Sequence, residues 1–143
     1  MKSNKFPVLL RHCWFGLNQQ FRKKIQPIAL TTVQYTVLRT LYERFPKPIN
    51  QCDLSKLISS NKNNISSILK RLQALQYVKT SVNKSDKREK QISISATGVN
   101  TFFSAKEKAD EVKKALFQNF KHSELDCLKK YFKKINKKAN TLK

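Results

Sequence analysis

The sequence predicts a mainly α fold that carries one small β-hairpin. Three observations lead there. In Lys62–Leu75 the apolar residues Ile65, Ile68, Leu69, Leu72 and Leu75 fall in the i, i+3, i+4, i+7 rhythm of a helix with one buried face. Directly after it, Val78–Val82 and Gln91–Ser95 alternate like two short strands around the charged turn Asn83–Lys90. On both sides of this unit, apolar residues step by three and four between Pro, Asn, Ser and Thr punctuation. At 143 residues with 39% hydrophobic content, the chain is long enough for one domain with a real core.

The elements follow in order. From about Lys5 to Gln26, Leu9, Leu10, Cys13, Trp14, Leu17, Phe21 and Ile25 form an apolar stripe on an otherwise basic helix, which Pro27 ends or bends. Thr31 or Thr32 caps a second helix whose buried face is Val33, Val37, Leu38, Leu41 and Tyr42. Pro46 and Pro48 stop it and stiffen the link to Ile49. Asn50 caps a third helix, with Asp53 near its positive end and with Cys52 or Leu54, Leu57 and Ile58 as apolar contacts. Ser59, Ser60 and Asn61 make a turn, and Asn61 caps the fourth helix. Beyond the hairpin, Ser95–Gly98 opens a helix carrying Val99, Phe102, Phe103, Ala109, Val112, Ala115, Leu116 and Phe120. Ser123 and Asp126 resemble a capping box for a last helix, with Leu125, Leu128, Phe132 and Ile135 inward and a frayed tail after Lys137.

A short helix, a second helix with a polar outer face and a basic hairpin stand in the order of a winged helix-turn-helix, here residues 31–95. The face opposite the apolar stripe of the fourth helix collects Asn63, Ser66, Ser67, Lys70 and Ala74. Amides, hydroxyls and a lysine are the groups that read base edges in a major groove. An ordinary surface helix beside a lysine-rich hairpin fits the same pattern, and that reading stays open. The charge balance favours nucleic acid. Thirty Lys+Arg against nine Asp+Glu leave a formal +21, which calls for an acidic partner. Most of these cations are lysines, which attract phosphate better than they read bases. Lys62, Lys84, Lys87 and Lys90 are therefore expected as phosphate anchors.

The flanking helices, residues 1–30 and 96–143, carry Trp14, Phe15, Phe21, Phe102, Phe103, Phe117, Phe120, Tyr131 and Phe132. This exceeds what they need to pack on one small winged core. A dimer that pairs them across two subunits is the favoured reading; helices capping the core of a monomer are the alternative.

Two stretches resemble the MarR family of bacterial transcription regulators. Asp86-Lys87-Arg88 followed by Ile92–Gly98 looks like that family's wing signature, and Leu30–Leu38 looks like its L-T-x-x-Q opening of the second helix. The resemblance covers essentially the whole chain. It implies a single domain, residues 1–143, and a homodimer that binds double-stranded DNA at a palindromic operator, usually as a repressor. Such proteins often release DNA on binding a small-molecule effector or on oxidation. It further implies that Arg88 enters the minor groove, where a guanidinium suits the negative potential, and that Asp86 orients the wing. The chain departs from the pattern at Gln76, where a glycine usually ends the recognition helix. Its Asn63-Asn64-Ile65-Ser66-Ser67 run also differs, so the bases read stay open.

Other functions find little support. There are no paired carboxylates on one helix face, no Gly-rich loop and no Ser/His/Asp spacing, so neither an enzyme nor a cofactor is expected. Cys13, Cys52 and Cys127 lack zinc spacing and are expected as reduced thiols of a cytoplasmic protein. No apolar run approaches the ~18 residues of a membrane span, and no secretory signal opens the chain. Cys13 has two readings, a buried structural thiol or a redox sensor like that of the family's hydroperoxide-sensing branch. Phe21 and Thr32 stand where that branch's supporting tyrosines would be sought. A non-specific architectural DNA binder and a winged-helix protein-interaction module remain as alternative functions.

Overall fold

The computed structural model describes residues 4–58 and 60–142, and of Lys62 the backbone alone. Among the described residues, six α-helices and three short strands run in the order α1 Phe6–Ile25, α2 Thr32–Arg44, β1 Ile49–Asn50, α3 Gln51–Leu57, α4 Lys62–Ala74, β2 Val78–Val82, β3 Lys90–Ile94, α5 Ala96–Phe117 and α6 His122–Thr141. One compact unit runs to Val112 and a second begins at Lys113.

Side-chain caps set the helix starts. Thr31 Oγ1 accepts from the Gln34 N–H, and the Gln34 side chain accepts from the Thr31 N–H, closing a capping box on α2. Asn50 Oδ1 accepts from the Asp53 N–H at 2.8 Å, and Asn61 Oδ1 from the Asn64 N–H at 2.8 Å. The expected cap of the last helix is wrong. Lys121 occupies the cap, and Glu124 Oε1 accepts the Lys121 N–H, so Ser123 lies inside the first turn. The box is thus closed by Glu124 on Lys121, two residues earlier in the chain than the expected Ser123–Asp126 pair. The helix also holds to Thr141, past the expected fraying at Lys137.

The hairpin is part of a three-stranded antiparallel sheet in the order β1-β3-β2. Ile49 pairs with Ile92, and Val78 with Ile94. Two residues of β1 are too few to show a period of two, so the sequence reading missed this strand. The core gathers Ile25, Val37, Leu38, Leu41, Leu54, Ile65, Leu72 and Ile92, each within 2% of full burial, with Ile94 and Phe102 beside them. Each such side chain contributes about 1.5–3 kcal/mol by leaving water. Within the winged unit three expected core contacts face outward instead: Val33, Leu57 and Leu75 are exposed, while Tyr35 is buried.

Three features tie α4 to α5. Gln76 takes a left-handed φ of 62° where a glycine was expected, and its N–H and that of Tyr77 return to the Gln73 and Leu72 carbonyls. Ser95 then bridges the two helices. Its hydroxyl donates to the Gln76 carbonyl at 2.6 Å and accepts from the Gly98 N–H at the start of α5. Gly98 packs so closely that a Cβ there would lie 2.0 Å from the Tyr77 carbonyl oxygen.

The aromatic residues divide between two environments. Phe21, Tyr35, Phe102, Tyr42 and Phe103 form a chain of ring contacts with centroids 4.8–5.6 Å apart inside the first unit. Three aromatics read as surplus thus pack within one chain. Trp14 and Phe15, in contrast, stay about two-thirds exposed on α1, which buries only Ile25. In the second unit α6 buries no residue, and Leu128, Tyr131, Phe132 and Ile135 are exposed.

Candidate nucleic-acid interface

The buried stripe of α4 orients its opposite face outward. Ile65 and Leu72 are fully buried, so at about 100° per residue Asn63, Ser67 and Lys70 project to solvent and Ser66 is half-buried. The side chain of Lys62 lies outside the described residues. Asn64 and Arg71 are exposed as well, seven positions apart along one flank of this face. The sequence reading passed over both, although the same helical spacing marks them. No Asp or Glu occurs between Asp53 and Asp86, so nothing in α4 or β2 opposes an anion.

The wing is a folded loop. Asp86 Oδ1 accepts from the Arg88 N–H at 3.0 Å, the Asp86 carbonyl accepts from the Glu89 N–H, and Asn83 Oδ1 accepts from the Ser85 N–H. These short side-chain-to-backbone bonds are the usual stabilisers of such turns. Lys84, Asp86, Lys87, Arg88 and Lys90 are all exposed. Among the described residues no carboxylate pairs with Arg88.

One partner of the wing was not foreseen. Glu89 accepts from Asn83 Nδ2 at 2.5 Å and from Asn50 Nδ2 at 2.6 Å, joining the base of the wing to the cap of α3. The two asparagines lie too far from each other in sequence for any local pattern to pair them.

Cys13 is exposed, which corrects the reading of a buried structural thiol; Cys52 and Cys127 are exposed too, and all three are free. Trp14, Phe15, Arg22, Val33, Thr36 and Ile58 are among the residues lining an open hollow of about 410 Å³ between α1 and α2. Among the described residues, no cluster of three or more His, Cys, Asp or Glu is able to hold a metal. No described helix is long and apolar enough to cross a membrane.

Comparison with known proteins agrees with this geometry. Residues 30–90 match the family model described as the MarR family. The MepR–DNA complex of S. aureus superposes with a TM-score of 0.87 at 20% identity, covering 95% of this chain and 99% of that one. CouR of Rhodococcus jostii RHA1 bound to p-coumaroyl-CoA gives 0.84 at 18% identity, covering 94% of each chain. Apo MarR of E. coli gives 0.76 at 19% identity, covering 94% of this chain and 98% of that one. At these identities the likeness is one of fold. Comparison with curated protein sequences gives no match.

Proposed function

We propose that this chain, whose residues 30–90 form a MarR-family domain, is a homodimeric, sequence-specific DNA-binding regulator that represses transcription from a palindromic operator. The observation that carries the reading is the exposed, acid-free polar face of α4 beside an exposed basic wing. In this reading Asn63, Ser66, Ser67 and Lys70 meet base edges in the major groove. Arg88, its backbone held by Asp86, enters the adjoining minor groove. Lys62, Lys84, Lys87 and Lys90 neutralise phosphates and set the register.

Dimerisation is supported by the apolar surface that α1 and α6 leave open, Trp14, Phe15, Leu128, Tyr131, Phe132 and Ile135. Monomers rarely expose so many large apolar side chains on two helices. A two-fold dimer places two α4 helices on DNA and calls for a palindromic site. The hollow lined by Trp14, Phe15, Val33 and Ile58, with Arg22 at its wall, suits a small apolar effector with an anionic group. CouR, of the same fold, is seen with an acyl-CoA.

The deciding experiment is selection of bound sequences from a random duplex pool at near-physiological salt. A two-fold motif is the expected result. Retention of every sequence with a steep salt dependence would make the chain a non-specific architectural binder instead. No duplex retained at all would point to a protein-interaction module.

A further inference from the structure

From Lys129 onward, α6 is a lysine helix. Lys129, Lys133 and Lys137 form one row and Lys130, Lys134 and Lys138 a second, with successive members of a row about 6 Å apart along the axis. All six are exposed, and Lys129, Lys130, Lys133, Lys134 and Lys137 line an open hollow of about 450 Å³, with Asp126 at its N-terminal end. Beyond Asp126 the chain contains no further acid. Among the described residues, the ion pairs join Lys24 and Lys108 to Glu111, Arg39 to Glu43 and Lys106 to Asp110, and none involves α6. Leu128, Phe132 and Ile135 project from the other side of the helix.

We infer that this lysine face is a further nucleic-acid surface, in addition to α4 and the wing, which holds the phosphate backbone of a duplex without reading its sequence. Six cations along ten residues amount to roughly one per 2.5 Å of helix axis, comparable with the one charge per ~1.7 Å of duplex DNA. All six are lysines, compact charges that suit phosphate rather than the bidentate contacts arginine makes. An acidic bilayer would also attract such a face, but a helix lying in a membrane interface must bury its apolar side there. The dimer reading above assigns Leu128, Phe132 and Ile135 to the partner subunit, and the choice of duplex over bilayer rests on that reading. The protein would then link two duplex segments, one held specifically and one held by charge.

The test uses the full chain and the variant Lys129→Gln/Lys133→Gln/Lys134→Gln/Lys137→Gln, since glutamine keeps helix propensity and removes charge. Circular dichroism and light scattering first establish that both fold and share one oligomeric state. A bead-bound cognate duplex is saturated with protein and washed, and a second, fluorescent duplex of unrelated sequence is added at fixed salt. The parent should capture the second duplex, with a salt slope steeper than the variant's by about 3–4, and the variant should lose most capture while still filling the first. Equal capture by parent and variant would overturn the proposal. So would lysine-dependent binding to phosphatidylserine vesicles without any captured duplex. Arg88→Ala supplies the separate control. If it binds the cognate duplex as tightly as the parent does while α6-dependent capture persists, the wing's role in the regulator reading fails and this surface stands.

Discussion

Oε1 of Glu89 accepts a 2.6 Å hydrogen bond from Nδ2 of Asn50, the residue that caps α3, 39 positions earlier in the chain. The wing and the first helix of the helix-turn-helix are thereby joined through one carboxylate, which also takes the amide of Asn83. A glutamine at this position keeps one acceptor oxygen and would turn its own N–H₂ toward the other of the two amide donors. Hydrogen bonds to a charged acceptor contribute about 1.5–3 kcal/mol each, and less where water reaches them, as here. Glu89→Gln should therefore speed hydrogen exchange across residues 83–89 and weaken cognate DNA binding up to about tenfold. The same change made on an Arg88→Ala background should cost little more, because the carboxylate acts by placing that arginine. Additive losses in this cycle would show Glu89 acting independently of Arg88.

Arg88 separates a regulator from a generic polycation. Arg88→Lys keeps the charge but replaces a planar, weakly hydrated group with a compact, strongly hydrated one. Cognate affinity should fall by about 1–3 kcal/mol while binding to a scrambled duplex at the same salt hardly changes. Parallel titrations on the two duplexes give the answer, and an unchanged cognate affinity would reduce the wing to a phosphate clamp.

Gly98 tests the junction between α4 and α5. Its missing Cβ makes room for the Tyr77 carbonyl, which already accepts the Ser95 N–H at 3.0 Å. Gly98→Ala forces backbone apart, because the nearest obstacle is the Tyr77 main chain rather than the Ile94 side chain beside it. The expected cost is about 1–3 kcal/mol, despite the higher helix propensity of alanine. Thermal melts followed by circular dichroism should show a lower Tm; an unchanged or raised Tm would mean that the two segments separate freely.

Trp14 and Phe132 test the dimer without removing core residues. Deleting α1 would also remove Ile25, which is fully buried, so loss of fold would confuse the result. Trp14→Glu and Phe132→Glu place charge on exposed apolar surface and should leave the helical signal intact. Light scattering should show a shift toward monomer, together with loss of the parent's preference for a full palindrome over a half-site. A stable dimer in both variants would place the subunit contact elsewhere.

Tyr35 predicts a response to alkali. Burial is the main cause that raises its pKa above 10, with the Arg39 charge acting the other way. Below pH 10 both states hold the phenolic proton and the stability is complete. As pH rises past 10 the unfolded chain loses that proton first, so folding weakens. Tyr35→Phe should flatten this part of the stability profile in urea melts, and a slope identical to the parent's would assign the alkaline loss to the lysines.

The sequence by itself determined the local pieces. Periods of three and four located the helices, and Thr31, Asn50 and Asn61 cap theirs as read, because a cap is a contact across three residues. The two faces of α4 were legible for the same reason, since burial of Ile65 and Leu72 turns Asn63 and Lys70 outward. Tertiary structure decided what distant residues do to one another. Periodicity marks an apolar face but not what covers it, so Phe102 and Trp14 read alike although one is buried and the other stands in solvent. The pairing of Ile49 with Ile92, the Glu89–Asn50 bond and the approach of Gly98 to Tyr77 all join segments whose meeting no short pattern encodes. Their geometry is set by how the helices pack, and packing depends on the whole core at once.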